Sequence, residues 1–160
     1  MLKIKDLTIH DPIFSHHNEE TGVWTHIAAA RLAAAVDGKN DLTRKVNMDE
    51  NLYRLILTCN GVEQPHVDFW KAKYLLNADD PFKLPLPIFI EWEDGHHTLA
   101  DGNHRVCALY QLGVRQILMY LAPATLWRQF QVDMDPMGQA IVQLPGYMSG
   151  SYSHLRKKDE

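Results

Sequence analysis

The stretch from Leu99 to Ala108 constrains the fold most, because a strand pattern changes to a helix pattern within it. Gly102 breaks the strand, and His104 and Arg105 follow in the first turn of the predicted helix. A helix N-terminus leaves N–H groups unpaired and carries partial positive charge. A glycine there lets a ligand approach the backbone closely. The stretch therefore predicts either a phosphate-binding turn or a helix start that Asp101 or Asn103 merely caps, with His104 and Arg105 in solvent.

Length and composition indicate an ordinary folded domain. The chain has 160 residues, of which 46% are hydrophobic, so it can bury a core. No apolar run approaches the length of a membrane span, and the first residues lack the apolar core of a signal peptide. The two cysteines, Cys59 and Cys107, lack metal-ligand spacing. We therefore expect a cytoplasmic protein with both thiols free and no membrane contact.

The charge balance argues against non-specific electrostatic binding to nucleic acid. The chain has sixteen lysines and arginines and twenty aspartates and glutamates, which gives a net charge of -4. DNA is thus a less favoured partner, although a few residues suffice for a local basic pocket. The nine histidines include the adjacent pairs His16-His17 and His96-His97, which have no recognisable ligand spacing. We expect no dedicated metal site among them.

The pattern along the chain divides it into three parts. Residues 1–50 are predicted as an N-terminal extension with turn-like polar stretches and one helix, from Trp24 to Val36. Residues 51–132 carry the predicted core, and residues 133–160 read as a loop-rich tail. Early in the core we expect a strand over Leu52–Leu57 and a turn at Asn60-Gly61. A helix capped by Asp68 then follows.

That helix is expected to carry three apolar side chains on one face, namely Phe69, Ala72 and Leu76. A strand over Ile88–Trp92 leads into Asp94-Gly95, a sequence typical of a type I′ hairpin turn. The return strand, His97–Ala100, reaches the Gly102 turn.

The rest of the core follows the same alternation. The helix after Gly102 is expected to turn Val106, Leu109, Tyr110 and Leu112 inward. Gly113 ends that helix. A strand over Gln116–Leu121 and a short helix from Pro123 complete the core.

This order of elements resembles the ParB/sulfiredoxin-like superfamily over about half the chain, from Tyr53 to Phe130. Three places carry the resemblance. Gln64–Lys71 looks like the proline-containing strand exit and helix start of sulfiredoxins. Leu86–Trp92 matches the proline-led strand, and Asp101–Arg105 is similar to the Gly-x-His-Arg nucleotide-phosphate signature. The resemblance implies an α+β fold, a single domain with a small mixed sheet flanked by helices.

The resemblance also implies a nucleotide site, and it favours the phosphate-binding reading of the Gly102 turn. The implied ligand is ATP, ADP or CTP together with Mg²⁺. Its phosphates would be surrounded by Gly102, Asn103, His104 and Arg105. Lys71 would reach them from the preceding helix, unless it is an ordinary exposed helix lysine. Arginine offers phosphate a bidentate fork and lysine a point charge.

The implied chemistry is Mg²⁺-dependent phosphoryl transfer or nucleotide hydrolysis. His104, Arg105 and Asp101 are the candidate catalytic residues, Asp101 by orienting His104 or by holding Mg²⁺. The phosphoryl acceptor would be a small molecule or a protein. A carboxylate in the turn can equally be a capping residue.

Departures from the family pattern narrow the function. Sulfiredoxins carry their catalytic cysteine two residues before the motif arginine, where this chain has Asn103, which argues against sulfinic-acid repair. Cys107 lies inside the helix and is expected to face inward. The tail does not read as the helix-turn-helix that follows in ParB proteins.

Other branches of the superfamily leave alternatives open. The motif is also close to that of a branch of free-amino-acid kinases, in which Glu19, Glu20 or Glu63 would be counterparts of the base. The remaining alternatives are a nucleotide-gated DNA- or protein-binding module without turnover and a ParB-like nuclease.

Overall fold

The computed structural model describes residues 1–8, 11–59, 61–80 and 83–134. Its strands and helices, in chain order, are β1 (Leu2–Lys3), β2 (Ile13–His17), β3 (Trp24–Ala28), α1 (Ala29–Val36), β4 (Thr43–Asn47), α2 (Glu50–Cys59), α3 (Gln64–Leu76), β5 (Ile88–Glu91), β6 (His97–Asp101), α4 (Asn103–Gln111), β7 (Gln116–Ala122), α5 (Ala124–Trp127) and β8 (Val132–Asp133). The predicted loop-rich tail lies almost wholly outside the described residues. None of the helices in these ranges has the length and apolar character needed to cross a membrane.

A four-stranded mixed sheet in the order β4-β7-β5-β6 forms the centre of the fold. β5 and β7 are parallel, whereas the two outer pairings are antiparallel. Alternate residues of β5 face opposite sides: Phe89 packs toward α2, α3 and α4, and Ile88 and Ile90 pack toward β3, α1 and α5. Helices therefore cover both faces, and the predicted α+β class is confirmed.

The N-terminal part contains more strand than the sequence pattern predicted. The predicted helix from Trp24 begins only at Ala29, because Trp24–Ala28 pairs with Ile13–His17 as a hairpin. Aromatic and β-branched residues favour a strand before Ala29, and the alanine-rich run after it favours a helix. The four-stranded sheet also includes Thr43–Asn47, so it extends to residues before the predicted core.

The predicted strand over Leu52–Leu57 is wrong, since these residues lie in α2. Asp49 caps this helix, its Oδ1 accepting a hydrogen bond from the Leu52 N–H at 2.7 Å. Leu52 and Ile56, one turn apart, are buried on the same face. A short apolar run fits either a strand or a buried helix face, and here the cap favours the helix.

The helix predicted to start at Asp68 begins at Gln64 instead, with a proline in its first turn. The three apolar residues share one face of the helix as predicted, but that face is exposed at Phe69 and Leu76, whereas Val67 is buried. Asp68 therefore lies within the helix and does not cap it. Apolar residues occur on both sides of α3, and packing selects the side of Val67.

The hairpin and the elements after it agree with the prediction, apart from the type of the turn. A type I′ turn needs a positive φ at both of its central residues. Gly95 has φ +87°, but among the described residues only glycines have a positive φ, so Asp94 cannot occupy a type I′ position. The turn is closed instead by the Gly95 N–H, which donates to the Trp92 carbonyl at 3.0 Å. Gly113, with φ +92°, follows the end of α4 as predicted.

Candidate functional site

The turn between β6 and α4 is close-packed against another part of the same chain. Gly102 has φ +96° and is the N-cap of α4, and its carbonyl accepts a hydrogen bond from the Val106 N–H at 2.9 Å. A Cβ on Gly102 would lie 2.9 Å from Pro87 Cβ and 3.0 Å from Pro87 Cα. The close approach that requires glycine is thus made by Pro87, so protein fills this side of the turn.

Arg105 is buried behind the turn, with only 6% of its surface exposed. Its Nη2 lies 3.0 Å from Oδ2 of Asp101, and its Nη1 donates to the carbonyl of Pro85. The guanidinium also lies over the ring of Trp70, 5.4 Å from the ring centre. The Asp101 carboxylate is the more accessible partner of this pair, with 44% of its side chain exposed against 7% for Arg105.

His104 faces the start of α3. Its Nε2 accepts a hydrogen bond from the Glu63 N–H at 3.2 Å, so the neutral ring carries its proton on Nδ1. Burial, followed by the nearby imidazole of His66, lowers the pKa of His104 below its usual value. The His104 ring is therefore neutral at pH 7.

Lys71 lies away from the turn. Its Nζ donates to Oε1 of Gln111 at 3.3 Å, at the far end of α4. Gln111 is six residues beyond Arg105, which corresponds to about 9 Å along a helix. The structure brings Asp101, Gly102 and Arg105 together, with the half-buried Asn103 as the first residue of α4, but does not bring Lys71 to them.

An open pocket of about 830 Å³ borders the turn, and the sequence did not reveal it. Asp101 is part of its wall, together with the end of α1 and the segment from Lys83 to Leu86. Tyr120 lines the floor, where its hydroxyl accepts a hydrogen bond from the Gly38 N–H at 3.0 Å.

A second pocket, of about 520 Å³, lies between the β2–β3 and β5–β6 hairpins. His16 stacks on Trp92 there, with ring centres 4.3 Å apart, and His96 Nδ1 lies 2.8 Å from Asp94 Oδ2. The described residues nevertheless include no group of three or more His, Cys, Asp or Glu side chains that could hold a metal ion.

Cys107 is buried in α4 and faces the core, as expected. Burial raises the pKa of its thiol to about 12, so the reactive thiolate is suppressed at neutral pH. The thiol is thus an apolar core group and no candidate nucleophile.

No family model, curated protein or solved structure matches this chain. What the site can do therefore follows from the residues around Gly102 and from the pocket beside them. A buried arginine with a half-exposed carboxylate at a helix N-terminus is suited to exchanging that carboxylate for another anion.

Proposed function

We propose that this chain binds a nucleotide, with the phosphates at the turn between β6 and α4 and the remainder in the adjoining pocket. The observation that carries the proposal is that Asp101, which lines a pocket of about 830 Å³, is paired at 3.0 Å with the buried guanidinium of Arg105. Small-molecule pockets have volumes of this order. The proposal also agrees with the resemblance to the ParB/sulfiredoxin-like superfamily.

Arg105 is the proposed phosphate ligand. Its guanidinium is held by Asp101 at 3.0 Å, so a phosphate would take over this contact and release the carboxylate. Asp101 would then hold the Mg²⁺ that accompanies the nucleotide, since Mg²⁺ is usually bound by one or two carboxylates together with phosphate oxygens. When bound, Mg²⁺ neutralises phosphate charge.

Mg²⁺-dependent phosphoryl transfer or hydrolysis is the proposed reaction class, with ATP, ADP or CTP as the nucleotide. In it, Arg105 would stabilise charge on the phosphates and Asp101 would position the metal. His104 would contribute only through Nδ1–H, because its Nε2 already accepts the Glu63 N–H.

A nucleotide-gated binding module without turnover is the second candidate. Two observations favour it: the engaged Nε2 of His104 and the contact of Lys71 with Gln111 leave fewer groups for chemistry at the turn. In this alternative, the nucleotide would separate Asp101 from Arg105 and shift the segment packed on the pair, but no product would form.

The test is a thermal-shift and calorimetric panel of ATP, ADP, CTP and GTP, with and without Mg²⁺. A nucleotide present at about 100 times its dissociation constant stabilises the folded state by about 2.7 kcal/mol. Arg105→Met should abolish the shift, whereas the exposed Arg54→Met, on α2, should leave it unchanged. Circular dichroism confirms that each variant is folded.

Asp101→Asn adds a sharper test of the exchange. Without Mg²⁺ it should tighten nucleotide binding, because the competing carboxylate is gone; with Mg²⁺ it should weaken binding, because the metal loses its ligand. Phosphorus NMR of the incubated nucleotide separates turnover from gating. If no nucleotide shifts the melting midpoint, the proposed function is wrong.

A further inference from the structure

The solvent-facing side of α3 carries an apolar stripe. Its members, which we call the α3 stripe, are spaced four, three and four residues apart: Pro65, Phe69, Ala72 and Leu76. At 3.6 residues per turn they fall within an arc of about 60°. Phe69 is 55% exposed and Leu76 is 82% exposed, whereas Val67, on the opposite side of the helix, is buried.

This spacing is that of a coiled-coil seam, in which alternating steps of three and four residues keep one face toward a partner helix. Leu75, 66% exposed, widens the apolar surface on one edge. Contiguous exposed apolar surface of this kind marks an interaction site more often than chance scatter does.

Opposite charges flank the stripe. Asp68 lies on the same edge as Leu75, and Lys73 lies on the other edge, five residues further along. Neither side chain has an ion-pair partner within the described ranges: Asp68 Oδ1 accepts from Gln64 at 2.8 Å, and Lys73 Nζ lies 4.8 Å from the ring centre of Phe69.

The position of the charges selects one partner and one orientation. When two identical helices pair in parallel, the first edge of each helix faces the second edge of the other, with an offset of five residues. Asp68 then meets Lys73 of the second copy, and the two-fold symmetry repeats this pair. Antiparallel pairing would instead place Asp68 against Asp68 and Lys73 against Lys73.

We propose that the α3 stripe is a self-association surface, through which two copies of this chain pair in parallel. Phe69, Ala72 and Leu76 form the seam, and two ion pairs between Asp68 and Lys73 of the opposite copy fix its direction. A helix of 13 residues is about 20 Å long and presents less area than the roughly 800 Å² per partner of a standard interface. An interface of this size belongs to the weak, transient class.

The experiment is analytical ultracentrifugation of the full chain from about 10 µM to about 1 mM, a range that covers weak association. We expect a reversible monomer–dimer equilibrium, and Leu76→Asp should shift it to monomer. Leu55→Asp, at an exposed leucine of α2, is the matched control and should leave it unchanged. The substituted positions are exposed, so melting curves should show folded variants.

Charge reversal tests the orientation. Asp68→Lys and Lys73→Asp should each weaken dimerisation about tenfold, because each creates two like-charge contacts, and the double variant should restore it. A monomer at all concentrations would overturn the proposal, as would equal losses for Leu55→Asp and Leu76→Asp. A double variant as weak as the single variants would overturn the parallel pairing.

Discussion

Replacing Gly102 with alanine tests whether the turn between β6 and α4 is as tightly packed as its geometry indicates. We expect the substitution to lower the free energy of unfolding by about 2–5 kcal/mol. Two independent costs contribute. The backbone has φ +96°, where an L side chain is strained, and the new methyl group would overlap Pro87.

The two costs can be estimated from the structure. A left-handed backbone costs an L residue about 1–2 kcal/mol relative to glycine. The methyl carbon would lie 2.9 Å from Pro87 Cβ and 3.0 Å from Pro87 Cα. These atoms belong to a rigid ring and to the backbone and cannot rotate away, so forced overpacking adds about 1–3 kcal/mol.

Gly113 supplies a matched control, because its φ of +92° is nearly the same but no heavy atom lies within 4 Å of the Cβ position. Gly113→Ala should therefore lower the free energy of unfolding only by the backbone cost of about 1–2 kcal/mol. Urea unfolding of both variants, with equal m values, gives the packing cost as their difference. If the two variants lose equal stability, Pro87 yields to the methyl group and the close-packed description of the turn is refuted.

Three further predictions concern the residues around this turn. Asp101→Asn should cost about 1–2 kcal/mol in urea unfolding, because it leaves the buried Arg105 guanidinium without its carboxylate, although Asp101 is half exposed; unchanged stability would show that the pair contributes nothing. Cys107, whose pKa is raised to about 12, should resist iodoacetamide at pH 8 until urea unfolds the chain, as followed by peptide mass mapping; rapid labelling of the native protein would contradict its burial. The pKa of His104 is lowered in the folded state by burial and by His66, so the unfolded chain binds the proton more strongly and stability should fall as pH drops through about 6.5. His104→Gln keeps an acceptor for the Glu63 N–H and should reduce this acid sensitivity; an unchanged pH profile would assign the sensitivity to other groups.

The second half of the fold could be predicted because its signals are local. The hairpin strands are β-rich runs on either side of Asp94-Gly95, and Gly102 and Gly113 mark the two ends of α4. Each of these boundaries depends on a conformation that glycine adopts readily. The order of elements from β5 to β7 could therefore be predicted from neighbouring residues alone.

Elements whose apolar pattern fits two structures could not be assigned in this way. Leu52–Leu57 suits a strand or a buried helix face, and the decisive feature is a cap three residues earlier, at Asp49. α3 has apolar residues on both sides, and only packing against α4 selects Val67 over Phe69 as the buried one. The choice is made by contacts that are distant in sequence.

The candidate site also contains parts that local sequence signals predict and parts that depend on contacts distant in sequence. Gly102 and Arg105 could be identified because the strand-to-helix change is local, but the placement of Lys71 depends on how α3 crosses α4. The pocket beside Asp101 combines α1 with a proline-rich segment some fifty residues later, which no local pattern reveals.

Arg105 joins segments of the chain that border the pocket. The same guanidinium contacts Asp101, the Pro85 carbonyl and Trp70, so it ties the proline-rich segment to the start of α4. In the proposed exchange, an anion that displaced Asp101 would leave the contacts of Arg105 with Pro85 and Trp70 in place. Because Pro85 and Asp101 both line the pocket, one buried side chain joins two parts of its wall. A ligand at the turn should thus protect the segment around Pro85 from proteolysis, and Arg105→Met should abolish that protection.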